Sequence, residues 1–310
     1  MKVYRGFSNY SPVQNAVVTT GTFDGVHVGH RTIIRRLNGI AKKHRGESVL
    51  ITFHPHPRLV LQKDCDLKLL STIEERIELL EGLGVDHLII IPFDESFSKL
   101  SSKEFVQKIL VEKVGTKRLV IGYDHHFGRN REGTFQHLLE FGPQYGFEVE
   151  EIPALEVEEI KVSSTKIRDA LSKGFVNKVT SFLERPYCFT GTVVKGNQIG
   201  RSIGFPTANL QIKEQYKLIP KEGVYAVNVK LGNIFFNGML NIGRRPTVDF
   251  DNTLTIEVNI FEFNQLIYGE ELTLEIIQHV RNEIHFGDVN QLKMQLEQDL
   301  EACKKILSFK

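Results

Sequence analysis

The hydrophobic pattern of this chain changes period once, near residue 184, and that change restricts the fold to a layered α/β unit followed by an all-β unit. Before it, the short apolar runs AVVTT, SVLITF, HLIIIPF, RLVIGY and FEVEEI alternate with helical periodicity in RTIIRRLNGIAKKH, STIEERIELLEGLG and SSKEFVQKILVEKVG. Capping boxes are expected at Ser71 with Glu74 and at Ser101 with Glu104. Five strands with such crossovers predict a doubly wound, Rossmann-like parallel sheet covered on both faces. Ligands of such sheets bind beyond the carboxyl ends of the strands, so the loops after strands are where chemistry is expected.

A helix from Ser164 to about Leu171 follows, and Gly174 and Pro186 punctuate a boundary. Beyond it, GTVVKG, VYAVNVKL, IFFNGML, TLTIEVNIF and LTLEII are period-two segments with no helices between them, which predicts an antiparallel β-barrel or sandwich. Leu292, Leu296, Leu300 and Ile306 recur near helical spacing after Asp288, so a C-terminal helix should pack on that sheet. The expected domains are residues 1–184 and 185–310, in keeping with a length of 310 residues.

Composition narrows the function classes. Lys plus Arg number 39 against 38 Asp plus Glu, balanced on both sides of residue 184, so the basic footprint of a nucleic-acid binder is missing. Cys65, Cys188 and Cys303 are odd in number and form no C-x-x-C pair, which offers neither a disulfide framework nor a zinc knuckle and fits a reducing cytoplasm. The longest apolar run, Leu88 to Phe93, is too short to span a bilayer. Small molecules are therefore the expected partners, and a weak homo-oligomer is allowed.

Gly21-Thr22-Phe23-Asp24-Gly25-Val26-His27-Val28-Gly29-His30 sits where the first strand gives way to the first helix. Two imidazoles three residues apart at a helix N-terminus, with Gly29 letting the backbone come close, suit phosphate oxygens. One histidine as a cap and the other in solvent is the plain structural alternative. Val162-Ser163-Ser164-Thr165-Lys166-Ile167-Arg168 opens a later helix with hydroxyls and two cations, a second set of phosphate ligands or merely a capped helix. No G-x-G-x-x-G and no Gly-Lys dipeptide occur, so neither a dinucleotide fingerprint nor a Walker A loop is present.

In the second half, the stretch from Gly191 to Asn209 combines Lys195, Gly196 and Gly204 with the tetrad Pro206-Thr207-Ala208-Asn209. Its glycines allow close wrapping of phosphates, and the Thr207 hydroxyl and Asn209 amide oxygen suit a hard Mg²⁺. Strict alternation puts Thr255, Glu257 and Asn259 on one strand face, with Glu257 pointing away from the core.

GTFDGVHVGH with VSSTKIR resembles the adenylyltransferase branch of the nucleotidyltransferase superfamily. TFHPHPR, STIEERIELLEGLGVD, FSKLSSKEFV and IGYDHHFGRNREG follow in order, and PTAN resembles the riboflavin kinase signature. Over its whole length the chain resembles the prokaryotic bifunctional riboflavin kinase/FMN adenylyltransferase family, also called FAD synthetases. The resemblance implies ATP-dependent phosphorylation of riboflavin to FMN, then adenylylation of FMN to FAD with Mg²⁺. It implies that His27 and His30 stabilise the triphosphate, that Ser164, Thr165 and Arg168 close on it, and that Gly21, Phe23, Asp24, Gly29 and Asp124 line the site. For the kinase it implies Thr207 and Asn209 on Mg²⁺ and ATP, Glu257 as base, and Arg281 contacting ligand or pairing with an acidic neighbour. This chain departs from the family pattern at His54, at His125 and His126 after Asp124, and at Asn259, where histidine is usual. His54, His56, His125 and His126 are expected in the flavin cleft or at strand ends rather than in a metal site. Three rival readings are an FAD-only enzyme with a weakened kinase half, a flavin-binding sensor without catalysis, and an adenylyltransferase for another nucleotide.

Overall fold

A computed structural model describes every residue except 63–65, 123–125, 153–161, 197–199, 201–202, 245–253 and 309–310. It divides into two compact units, Met1–Ser164 and Thr165–Lys310.

The first unit is built on six parallel strands: β1 (Lys2–Arg5), β2 (Val17–Thr20), β3 (Ser48–His54), β4 (His87–Pro92), β5 (Arg118–Gly122) and β6 (Glu148–Ile152), in the order β1-β4-β3-β2-β5-β6. Alternate residues serve opposite faces. Val49, Ile51, Ile89 and Ile91 pack with Phe105, Val106 and Leu110 on one side. Leu50, Leu88 and Ile90 pack with Ile34, Ile73 and Leu80 on the other. Because both faces are covered, the central strands read as continuous aliphatic runs. The chain reverses its direction of travel at β2, which is flanked by β3 and β5, and the loop after β2 opens at that switch point.

Two details differ from expectation. The edge strand β1 is a sixth strand that KVYR was too short to signal, four residues with Val3 exposed at its outer position. The capping box before the helix Ile73–Glu81 is Thr72 with Glu75, not Ser71 with Glu74. Ser71 is diverted, its hydroxyl accepting from the Gly25 amide at 3.1 Å and its own amide donating to Asp24 at 3.1 Å. The second box, Ser101 with Glu104, forms as expected, but it opens one short turn that continues as a π-helix over Phe105–Lys113.

The second unit is a closed barrel of six antiparallel strands: β7 (Tyr187–Val194), β8 (Ala208–Gln211), β9 (Gly223–Leu231), β10 (Ile234–Arg244), β11 (Leu254–Ile260) and β12 (Glu271–Arg281), ordered β10-β11-β8-β7-β12-β9. The C-terminal helix Val289–Ser308 covers one side, burying Cys303 and Leu307 against Val224, Ala226, Met239 and Phe205. SKGFVNKVTSFLE contains a helix, Val176–Leu183, whose buried Val176, Val179 and Leu183 lie against β7 and β12. The second compact unit starts at Thr165.

Arg281 ties the last strand to this helix. Its guanidinium donates to both oxygens of Asp299 at 3.0 Å from Nε and at 2.7 Å from Nη2, with Asp299 2% exposed. Removing one partner leaves a buried charge uncompensated. Asp299→Ala is expected to lower the unfolding free energy by about 3 kcal/mol. The double change Arg281→Met with Asp299→Leu should recover most of it, as read by urea denaturation.

Candidate active sites

The loop from Gly21 to His27 has an uncommon backbone. Phe23, Gly25 and Val26 have φ of 47°, 80° and 43°. For a non-glycine residue this left-handed conformation costs about 1 kcal/mol or more, and for β-branched Val26 it is a true outlier. Such a shape persists only where the surroundings impose it. Here Phe23 and Val26 are buried in the core with Ile34, Ile73 and Leu88. Asp24, 1% exposed, accepts the amides of Leu70 at 2.9 Å and Ser71 at 3.1 Å. Gly25 cannot be enlarged, since a Cβ there would lie 2.7 Å from Leu70 Cδ1. Asp24, expected to line the site, thus acts by clamping the loop.

That clamp delivers His27 as the N-cap of the helix Val28–Lys43, with its Nδ1 accepting the His30 amide at 3.4 Å. In the neutral ring this leaves the proton on Nε2, a donor for an anionic oxygen. His30 stacks on it with ring centroids 3.7 Å apart. Gly29 makes the pair possible, because a Cβ there would press on the His27 ring at 3.3 Å. Gly21 donates its amide to Ile51 and lies against the Phe23 ring. The first turn of the helix carries no acidic residue, so the helix dipole remains available to a bound anion.

His30 is held neutral: burial, then His27, then Arg76 push its pKa well below the usual histidine value. Its Nδ1 is buried without a hydrogen-bond partner among the described residues. Arg76 was not foreseen. It is 1% exposed, in the helix Ile73–Glu81, and donates to Thr52 Oγ1 at 3.3 Å, while Thr52 donates to the Thr22 carbonyl. The available signal was an arginine at the i+3 position of an otherwise apolar helix face, Ile73, Ile77 and Leu80. Burial and then Arg76 also lower the pKa of His54. His56 is a cap, its Nδ1 accepting the Arg58 amide at 3.1 Å. His126 is exposed, and Asp124 and His125 lie outside the described residues.

Ser164, at the start of the helix Ser164–Ser172, donates its hydroxyl to the Asp24 carbonyl at 3.0 Å. The same aspartate therefore organises the histidine loop and receives Ser164. Thr165 is exposed on the first turn of that helix and Arg168 is half-buried.

In the barrel, Thr207 Oγ1 donates to Glu257 Oε2 at 3.2 Å. Asn209 is directly opposite Glu257 in the β8–β11 ladder, and Asn241 is opposite it in the β10–β11 ladder. Ile256 and Val258, on either side of Glu257 along the strand, are buried, so Glu257 projects from the outer face as expected. Asn241 was missed. Its signal is the polar position between Leu240 and Ile242, which are both fully buried. Gly196 packs against the Asn209 amide, which a Cβ there would displace. Gly204 has φ +89°, a conformation that favours glycine, and Lys195 is exposed nearby in sequence. Asn259 does not follow Glu257 outward into solvent; it is 8% exposed and donates to the Pro206 carbonyl at 2.7 Å. Arg281 is not brought to this group, since its guanidinium is committed to Asp299 on the C-terminal helix. No group of three His, Cys, Asp or Glu among the described residues is arranged to hold a metal. Among the described residues the Thr207 site offers hydroxyl, amide and carboxylate oxygens, which fit a Mg²⁺ that keeps some of its waters and takes the rest of its shell from phosphate.

Comparison with known proteins gives a consistent result for both halves. Residues 10–166 match the FAD synthetase family and residues 183–307 match the riboflavin kinase family. A bifunctional riboflavin kinase/FMN adenylyltransferase of Buchnera aphidicola subsp. Schizaphis graminum is 38% identical over 100% of both chains. That of Haemophilus influenzae is 37% identical over 98% of each, and that of Escherichia coli K12 34% over 96% of each. A crystal structure described as a macrolide-efflux protein from Streptococcus pneumoniae superposes with a TM-score of 0.87 at 32% identity, covering 97% of this chain and 98% of that one. No helix of the described residues is long and apolar enough to cross a membrane.

The depressed histidines set a pH dependence. His30, His54 and His279 all have folded-state pKa values below the ordinary 6.5, each chiefly through burial. The unfolded chain then binds more protons below that value, so stability is full above pH 6.5 and falls as the pH drops through it. Thermal unfolding should show a midpoint that declines from pH 7 to 5, and the decline should shrink in His30→Asn.

Proposed function

This chain belongs to the family of bifunctional riboflavin kinases/FMN adenylyltransferases, and on that premise we propose how its residues divide two consecutive reactions. The enzyme phosphorylates riboflavin with ATP to give FMN, and adenylylates FMN with a second ATP to give FAD and pyrophosphate. We assign adenylyl transfer to residues 1–184 and riboflavin phosphorylation to residues 185–310, and place both in the cytoplasm, in keeping with the free thiols of Cys188 and Cys303.

In adenylyl transfer a phosphate oxygen of FMN attacks the α-phosphorus of ATP and the bond to the β-phosphate breaks. The attacking group is ionised at neutral pH, so no general base is needed. The stacked His27 and His30, the amides at the start of their helix, and the Ser164, Thr165 and Arg168 group are assigned to the triphosphate. His30 kept neutral by its setting donates to the phosphate as a hydrogen-bond partner rather than as an ion. Gly21, Phe23 and Gly29 shape the wall, and Asp24 fixes it. Catalysis here consists of positioning and of dipoles aimed at the leaving pyrophosphate.

In riboflavin phosphorylation the ribityl 5′-hydroxyl attacks the γ-phosphorus and ADP leaves, so a proton must be taken up. Glu257 is assigned as its acceptor. The observation that supports this most is the 3.2 Å contact from Thr207 to Glu257, which points the threonine hydrogen at the carboxylate and leaves its lone pairs outward. Thr207 and Asn209 would hold Mg²⁺, which when bound neutralises charge on the ATP phosphates. Lys195, Gly196 and Gly204 are assigned to the phosphate-wrapping loop. The FAD-only reading lacks support, since residues 183–307 match the riboflavin kinase family and the full-length relatives are named bifunctional.

Single substitutions in the full-length chain separate the halves. With riboflavin, ATP and Mg²⁺, His30→Ala should accumulate FMN and lose FAD formation by at least about 100-fold. Glu257→Ala and Thr207→Ala should stop FMN formation yet still convert supplied FMN to FAD. Loss of FMN formation in His30→Ala, or loss of FAD formation from supplied FMN in Glu257→Ala or Thr207→Ala, would contradict the assignment.

A further inference from the structure

Asn259 lies buried on the outer face of β11, opposite Met239 in the β10 ladder and beside a segment containing Phe205. A buried amide in such surroundings is costly unless its hydrogen bonds are made. Its Nδ2 finds the Pro206 carbonyl at 2.7 Å. Proline has no N–H to offer, so that carbonyl is the handle by which the peptide entering β8 can be held.

The ladder explains why a handle is needed there. β8 and β11 pair Glu257 with Asn209 and Val258 with Ala208. One step further in the same register, Thr207 would face Asn259, but the ladder ends at Ala208. Beyond it the segment turns through Gly204 at φ +89°, with the Phe205 amide bonded back to Gly200. Two side chains from alternate positions of one strand take over from the backbone: Asn259 holds the Pro206 carbonyl and Glu257 receives the Thr207 hydroxyl. We propose that Asn259 is a positioning residue of the kinase site, extending the β8–β11 ladder by one side-chain bond so that Thr207 is presented to Glu257 and to the ATP phosphates. The inference rests on the kinase reading of this site. Asparagine at this position then supports the kinase half instead of weakening it.

The test uses the full-length chain, with FMN formation measured at varied MgATP and varied riboflavin, and conversion of supplied FMN to FAD as the internal control. Asn259→Ala and the isosteric Asn259→Asp, whose carboxylate cannot donate to a carbonyl, should lower kcat/KM for MgATP by about 30-fold through misplacement of Thr207. The KM for riboflavin and the FAD-forming activity should stay within about twofold. Asn259→His, which retains an N–H donor, should recover to within about fivefold of the parent. Parent-like kinetics in Asn259→Asp would overturn the proposal, as would losses that track a lowered thermal transition or fall equally on both substrates. A parent enzyme that makes no FMN would defeat the kinase reading itself, and the inference with it, before any variant is compared.

Discussion

One buried carboxylate sets the geometry of the first half. Asp24 could not remain 1% exposed without partners, and it accepts backbone amides from Leu70 and Ser71 while its own carbonyl receives Ser164. These bonds join the loop after β2, the segment before the helix Ile73–Glu81, and the start of the helix Ser164–Ser172. The left-handed Phe23 and Val26 are tolerable only inside that frame. From it follow the position of His27 as a cap, the stacking of His30, and the placement of Ser164 on the Asp24 carbonyl.

The barrel solves a related problem with different means. There the polypeptide that must approach phosphates is a short, glycine-containing segment leading into β8, and it is held by side chains of the neighbouring strand. Glu257 and Asn259 sit two residues apart on one face of β11, so the period of the strand supplies their spacing. In both halves a strand or helix of the scaffold fixes an irregular segment through buried polar groups, which is the arrangement that keeps a phosphate site preorganised. The two halves differ in charge strategy. In the proposed assignment the first relies on imidazoles, a helix dipole and the buried Arg76, the second on oxygen donors around Thr207.

Much of this was legible in the sequence because the relevant signals are local. The change from alternating strand and helix patterns to period-two segments marked the α/β sheet and the barrel, since each periodicity reflects which faces are buried. The H-x-G-H spacing placed both imidazoles on one helix turn. What escaped was set by tertiary partners. Ser71 looked like a cap until Asp24 and Gly25 claimed its polar groups, shifting the box to Thr72 and Glu75. Arg76 escaped because its place on the apolar face of Ile73, Ile77 and Leu80 does not reveal its tertiary partners Thr52 and His30. β1 and β8 are four residues each, too short for alternation to register. The helix Val176–Leu183 was hidden by flanking Gly174 and Pro186, which read as a boundary. Asn259 read as a defect because the Pro206 carbonyl it serves belongs to another strand's approach.

The most direct measurement of the account is a time course of the purified chain with riboflavin, ATP and Mg²⁺, with flavins separated at each point. The account predicts that FMN rises first and FAD follows at its expense, with two ATP consumed per FAD formed and pyrophosphate released in the second step. Riboflavin left unchanged, or FAD appearing only when FMN is supplied, would contradict it.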